Sequence, residues 1–117
     1  MSNADQPLTV ESYGPGYFRI AGQLHHGPVL LQDREVLGWG GLDDLAPLLT
    51  LAGRIDLLVL GMGNDMAHPP AGLARALGQA GIGIEPAATP VALRTHALLL
   101  ADGRHIALAA LPVGAAP

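Results

Sequence analysis

The chain has 117 residues, the length of one domain with one core, and no cysteine, which excludes disulfides, cysteine nucleophiles and thiolate metal sites. Its formal charge is −4, it has no lysine, and its six arginines are scattered from Arg19 to Arg104, so it lacks the clustered cations that nucleic acid requires. Half of the residues are hydrophobic, yet no segment reaches the ~18 uninterrupted apolar residues of a membrane span, because the richest stretch carries Arg54 and Asp56.

The opening Met-Ser-Asn-Ala-Asp-Gln-Pro has no early cation and no apolar run, unlike a signal or transit peptide, so a cytoplasmic location is expected. Residues 1–12 and 112–117 are expected to be the loose ends of a single domain spanning 1–117. Tyr13-Gly14-Pro15-Gly16 reads as a turn into a short strand, Tyr17–Ile20. Ala21-Gly22 then turns the chain into a second strand, Leu24–Gln32, which makes a hairpin. Residues 33–41 read as irregular and hold the chain's one tryptophan, Trp39.

Asp43 or Asp44 can cap a helix running to about Ala52, with Leu45, Leu48, Leu49 and Ala52 on one face and Gly53 as its stop. Asp56–Leu60 holds a continuous apolar run, bounded by the charge of Asp56 and by Gly61, of the kind buried on both faces of a sheet. A loop, Gly61–Pro69, leads to a helix opened by Pro70, with Leu73, Leu77 and Ala80 inward and Arg75 and Gln79 outward. Gly81 ends it before a strand, Ile82–Glu85. Strand, helix and strand of these lengths form a βαβ unit with parallel strands. Thr89 as N-cap and Pro90 at the first helical position start a short helix. Ala97–Ala101 and Arg104–Leu111 then read as two strands around the favoured hairpin turn Asp102-Gly103. The sum is an α/β fold: a mixed central sheet with a βαβ unit, flanking helices and an added β-hairpin layer.

Ligands of open α/β sheets bind beyond the carboxyl ends of parallel strands, here after Leu60 and Glu85. The candidate pocket therefore comprises Gly61 and Gly63, where a ligand can approach the backbone, Asn64, Asp65 and Thr89 as hydrogen-bonding groups, and Arg94 as a cation, with His96 nearby. Gly61-Met62-Gly63 is only a G-x-G, with Met66 where a dinucleotide fingerprint needs glycine, and no P-loop is present. His25-His26 point to opposite faces of a strand, and His68, His96 and His105 lie far apart, so no metal site is expected. The only serines are Ser2 and Ser12, and Asp43-Asp44 read as capping residues. No nucleophile, base and acid stand together, so no catalytic residue and no cofactor are assigned.

Several motifs in order carry a family resemblance. They are Tyr13-Gly14-Pro15-Gly16-Tyr17-Phe18, His26-Gly27-Pro28-Val29-Leu30-Leu31, Trp39, Leu58-Val59-Leu60-Gly61-Met62-Gly63, Thr89-Pro90-Val91-Ala92-Leu93-Arg94-Thr95-His96 and Gly103-Arg104-His105-Ile106-Ala107. From about Tyr13 to Leu111 the chain resembles the archaeal Mth-type family of domains of unknown function, which includes a mitochondrial complex I assembly factor. The resemblance implies a compact mixed-sheet domain with no established activity, cofactor or catalytic residue. The mitochondrial member works through protein partners, which implies a binding module. The family usually has an aromatic and an asparagine where this chain has His96 and Ala97, and Gly-Thr-Gly where it has Gly61-Met62-Gly63; both changes remove a polar group from the candidate pocket.

Two kinds of function follow as expectations. One is a partner-binding or assembly-accessory domain, engaging another protein or itself through an exposed apolar patch. The alternative is a binder of a small molecule or anion, or an enzyme, using the pocket beyond Leu60 and Glu85.

Overall fold

The computed structural model describes residues 6–114. The looseness expected of residues 1–5 and 115–117 lies outside the described residues. Inside them, the Leu8 amide donates to the Asp33 carbonyl at 2.8 Å, and Leu8 and Val10 pack against buried side chains.

Among the described residues, eight strands and three helices form a mixed α/β fold. A three-stranded antiparallel sheet consists of β1 (Ser12–Gly14), β2 (Tyr17–Ile20) and β3 (Gln23–His26). The β2–β3 turn is Ala21-Gly22, both with positive φ, as a two-residue turn matched to strand twist requires. The second sheet has the order β5-β4-β8-β6-β7. It contains β4 (Val29–Gln32), β5 (Glu35–Leu37), β6 (Leu57–Met62), β7 (Gly83–Ala87) and β8 (Ile106–Leu111), with helices α1 (Leu45–Leu49), α2 (Ala71–Gln79) and α3 (Thr89–Ala101). Strand β6 is parallel to both β7 and β8, while β4 is antiparallel to β8 and β5. The β6–α2–β7 segment is the expected βαβ unit.

Side-chain alternation along the large sheet divides the core in two. Leu30, Leu58, Leu60, Ala107 and Ala109 face Leu48 and Leu51 around α1 and Leu73 and Leu77 of α2. On the other face, Val29, Leu31, Val59, Leu108 and Ala110 meet Ala92 of α3 and Phe18 and Ile20 of the small sheet. Three layers result, and the middle one is apolar on both sides, as the continuous run at Leu57–Leu60 requires.

Four local readings of the sequence are corrected. The stretch expected as one strand, Leu24–Gln32, is β3 and β4, in two different sheets. Gly27, at φ +88°, carries the chain from one sheet to the other before Pro28. The segment read as irregular contains β5, joined to β4 through Asp33-Arg34. The helix after Asp43-Asp44 has no side-chain cap; the Asp44 carboxylate instead accepts the Gly40 amide at 2.9 Å, and the Asp44 carbonyl accepts the Trp39 indole N–H at 3.0 Å.

The largest correction concerns Ala97–Ala101, which is the second half of α3 and not a strand. Asp102-Gly103 ends that helix rather than turning a hairpin. The Gly103 amide donates to the Leu100 carbonyl at 2.9 Å and the Arg104 amide to the Leu99 carbonyl at 3.2 Å, with Gly103 at φ +77°. These paired bonds are the Schellman motif. Gly81 closes α2 in the same way, through Gly81 to Gly78 and Ile82 to Leu77. Backbone NMR should therefore give helical Cα shifts for residues 97–101. Ala97→Gly, at an exposed mid-helix position, should cost about 1 kcal/mol in urea unfolding.

Candidate functional site

The carboxyl ends of β6 and β7 lie side by side where the chain leaves β6 for α2 and β7 for α3. Three of the residues singled out from the sequence meet there. The Thr89 hydroxyl donates to the Leu111 carbonyl at 2.6 Å and accepts the Gly63 amide at 2.9 Å, while the Thr89 amide donates to the Gly63 carbonyl at 2.8 Å. Thr89 is thus not the N-cap expected from the sequence. Ala88 occupies that position, and the Thr89 side chain, wholly buried, ties the ends of β6 and β8 to the start of α3. Gly61 is the space that allows this: a Cβ there would lie 2.7 Å from Thr89 Oγ1 and 3.2 Å from both Thr89 Cα and Ala110 Cβ. Gly63, at φ +96°, bends the chain away from the strand.

The other four candidates are dispersed. Asn64 is exposed and accepts the Gly114 amide through Oδ1 at 3.0 Å, and Asp65 is exposed beside it. Arg94 is exposed on α3 and lines a groove of about 390 Å³ against β1 with Val10, Tyr13, Leu93 and Ala97. His96 does not end its helix but sits in the middle of it, only 2% exposed, and desolvation lowers its pKa from the ordinary 6.5 to about 4.

Two further concavities lie elsewhere. One, at the amino-terminal edge of β8, is lined by Gln32, Asp33, Arg54, Arg104 and His105, and the Arg54 guanidinium there donates to the Gln32 side chain at 2.7 Å. A broad open groove runs along the free edges of β3 and β5, past Leu24, Val36 and Trp39. None of these three hollows is lined by Gly61, Gly63, Asn64, Asp65 or Thr89. Among the described residues no group of three or more metal-ligating side chains occurs, and no helix is long and apolar enough to cross a membrane.

A feature that the sequence reading missed is the outer face of α3. Leu98 is 69% exposed and Val91, two turns earlier, 44% exposed, with Arg94 between them; Tyr13 of β1, 41% exposed, stands across the groove. Reading Ala97–Ala101 as a strand hid this face. The signal available was the seven-residue interval from Val91 to Leu98, which returns to one side of a helix.

Residues 10–111 match the family described as protein of unknown function (DUF498/DUF598). The chain belongs to this family. An uncharacterized protein of Rhodobacter capsulatus is 47% identical over 111 residues, which cover 94% of this chain and 90% of that protein. The mouse protein named NADH dehydrogenase (ubiquinone) 1 alpha subcomplex assembly factor 3 is 31% identical over 120 residues, covering 95% of this chain but 64% of its own length. The chain therefore spans less than two thirds of that mammalian relative. Among solved structures, one described as an outer membrane protein from Bartonella henselae superposes with a TM-score of 0.82 at 27% identity, over 93% of this chain and 98% of that one. A Bordetella pertussis protein described as a Mth938-like domain has the same fold, with a TM-score of 0.77 at 24% identity over 97% and 90% of the two chains.

Two outcomes follow from the DUF498/DUF598 site geometry. Thr89→Val should cost about 1–3 kcal/mol, because it leaves the Gly63 amide and the Leu111 carbonyl without their partner, whereas Thr89→Ser should cost less than about 1 kcal/mol; urea titration separates the two. Burial holds His96 neutral in the folded chain while the unfolded chain takes up its proton near pH 6.5. The stabilisation is full above pH 6.5 and is lost as pH falls toward 4, in all about 3 kcal/mol. Unfolding free energies of wild type and His96→Phe between pH 7.5 and 4 should diverge by about 1 kcal/mol per pH unit in that window.

Proposed function

We propose that this DUF498/DUF598 domain is a partner-binding, assembly-accessory module that docks through the outer face of α3 and the adjoining groove at β1. The observation that carries the reading is Leu98. A large aliphatic side chain 69% exposed in the last turn of a 13-residue helix is left uncovered by the described residues and costs hydration of apolar surface. Around it, Val91, Leu93 and Tyr13 extend the apolar surface, and Arg94 is the one charged side chain in the helix. An apolar centre with a polar or charged rim is the anatomy of a protein interface.

The naming of the mouse relative as an assembly factor supports the same reading. The Thr89 hydroxyl, spent on two internal hydrogen bonds, gives the competing small-ligand reading little to work with.

The test is co-purification of a tagged chain from its native cells, followed by mass spectrometry, with wild type against Leu98→Glu. The variant should unfold within about 0.5 kcal/mol of wild type, because position 98 is exposed. It should lose a defined set of proteins that Arg75→Glu, on the far helix α2, retains. Equal recovery by both variants would remove α3 from the interface.

A further inference from the structure

Resting on that reading of the α3 face, we infer that its occupant is a second copy of this chain, with two α3 helices crossing antiparallel about a two-fold axis at Leu98. The argument is one of charge and position. At about 100° per residue, Val91, Arg94, Leu98 and Asp102 fall within an arc of about 80° on one side of the helix. Leu98, the most exposed large aliphatic residue among those described, is at the centre. Arg94 lies four residues before it and Asp102 four residues after, each about 6 Å along the axis.

Within the chain these two charges are too far apart to pair with each other. Among the described residues neither makes a side-chain hydrogen bond or an ion pair. Asp102 is also the C-cap of α3, where the helix dipole disfavours a carboxylate, so its own helix gives it no support. A two-fold axis through Leu98 resolves both. It sets Leu98 against Leu98 and brings each Arg94 opposite the Asp102 of the other copy, twice by symmetry. A parallel pairing would instead place Arg94 on Arg94 and Asp102 on Asp102. The face carries its own complement in reverse order, which is the property an isologous interface needs and a heterologous partner does not. One helix face with a flanking groove is a small interface, so the dimer is weak and forms in the micromolar range.

Sedimentation velocity of the whole chain over about 1–500 μM tests this. Wild type should pass from monomer to dimer with rising concentration. R94D and D102R should each weaken the dimer at least about tenfold by opposing like charges, and the double variant R94D/D102R should return to within about threefold of wild type, which a merely unfolded or misshapen variant would not do. L98E should stay monomeric throughout. Wild type that is monomeric at every concentration overturns the inference, as does a dimer indifferent to both charge changes or one that the double exchange fails to rescue. If wild type stays monomeric while L98E still loses its co-purifying proteins, the second copy is excluded and the docking reading survives. If wild type stays monomeric and L98E loses nothing, both fall.

Discussion

The Thr89 hydroxyl is the point at which the central sheet and α3 are fastened together. One oxygen joins the Gly63 amide, just past β6, to the Leu111 carbonyl, at the end of β8, and it does so from the first residue of α3. These bonds are made in a buried setting, where an unpaired amide or carbonyl costs more than a pair contributes. The geometry needs a helix start almost in contact with a strand, and only a residue without a side chain leaves that room. Gly61 supplies it, and Ala110 on the neighbouring strand keeps the same side low. From this anchor α3 runs back across β6 and β8, so the direction of the helix, and with it the choice of which side faces solvent, is set at its first residue.

That arrangement accounts for most of the apolar composition. A sheet covered on one side needs alternating strands, but β4, β6 and β8 are covered on both and are apolar at nearly every position. Two separate cores are packed into one small domain, and short side chains at Ala107, Ala109 and Ala110 let the outer layers approach the central one. Low charge is thus chiefly a consequence of layering. The part it does not explain is the exposed side of α3.

The legible parts of the fold were those where one physical signal stood alone. Leu57–Leu60 is apolar without alternation, Pro70 and Gly81 bracket a helix with a clear inward face, and the strand after it must then lie parallel. The failures came where one signal has two meanings. Asp102-Gly103 supplies a left-handed glycine, which a hairpin turn and a Schellman helix end both use; only the tertiary packing of Leu99 and Leu100 against the core decides between them. Leu24–Gln32 has strand chemistry on both sides of Gly27-Pro28, and that dipeptide is the only mark of the change of sheet. At the site, Gly61, Gly63 and Thr89 were recognisable as a group because they follow parallel strands. What the sequence could not convey is that they bond to one another, since their partner Leu111 lies on a strand 22 residues beyond Thr89. Leu98 was missed with the helix that carries it.

The composition of α3 bears on function in its own right. A helix covered on one side ordinarily separates polar from apolar residues, and α2 does so, with Leu73 and Leu77 inside and Arg75 and Gln79 outside. In α3 the distinction is nearly absent. Its inner side holds Ala92 and the neutral, desolvated His96, while its outer side holds Val91 and Leu98 with Arg94 as its single charge. Such a helix has the residue pattern of one buried on both sides, yet the described residues cover only one of them. The inner cover is the sheet formed by β6, β7 and β8. The outer side of α3 leaves Leu98 69% and Val91 44% exposed, so the residues that break the ordinary separation are the ones that meet water.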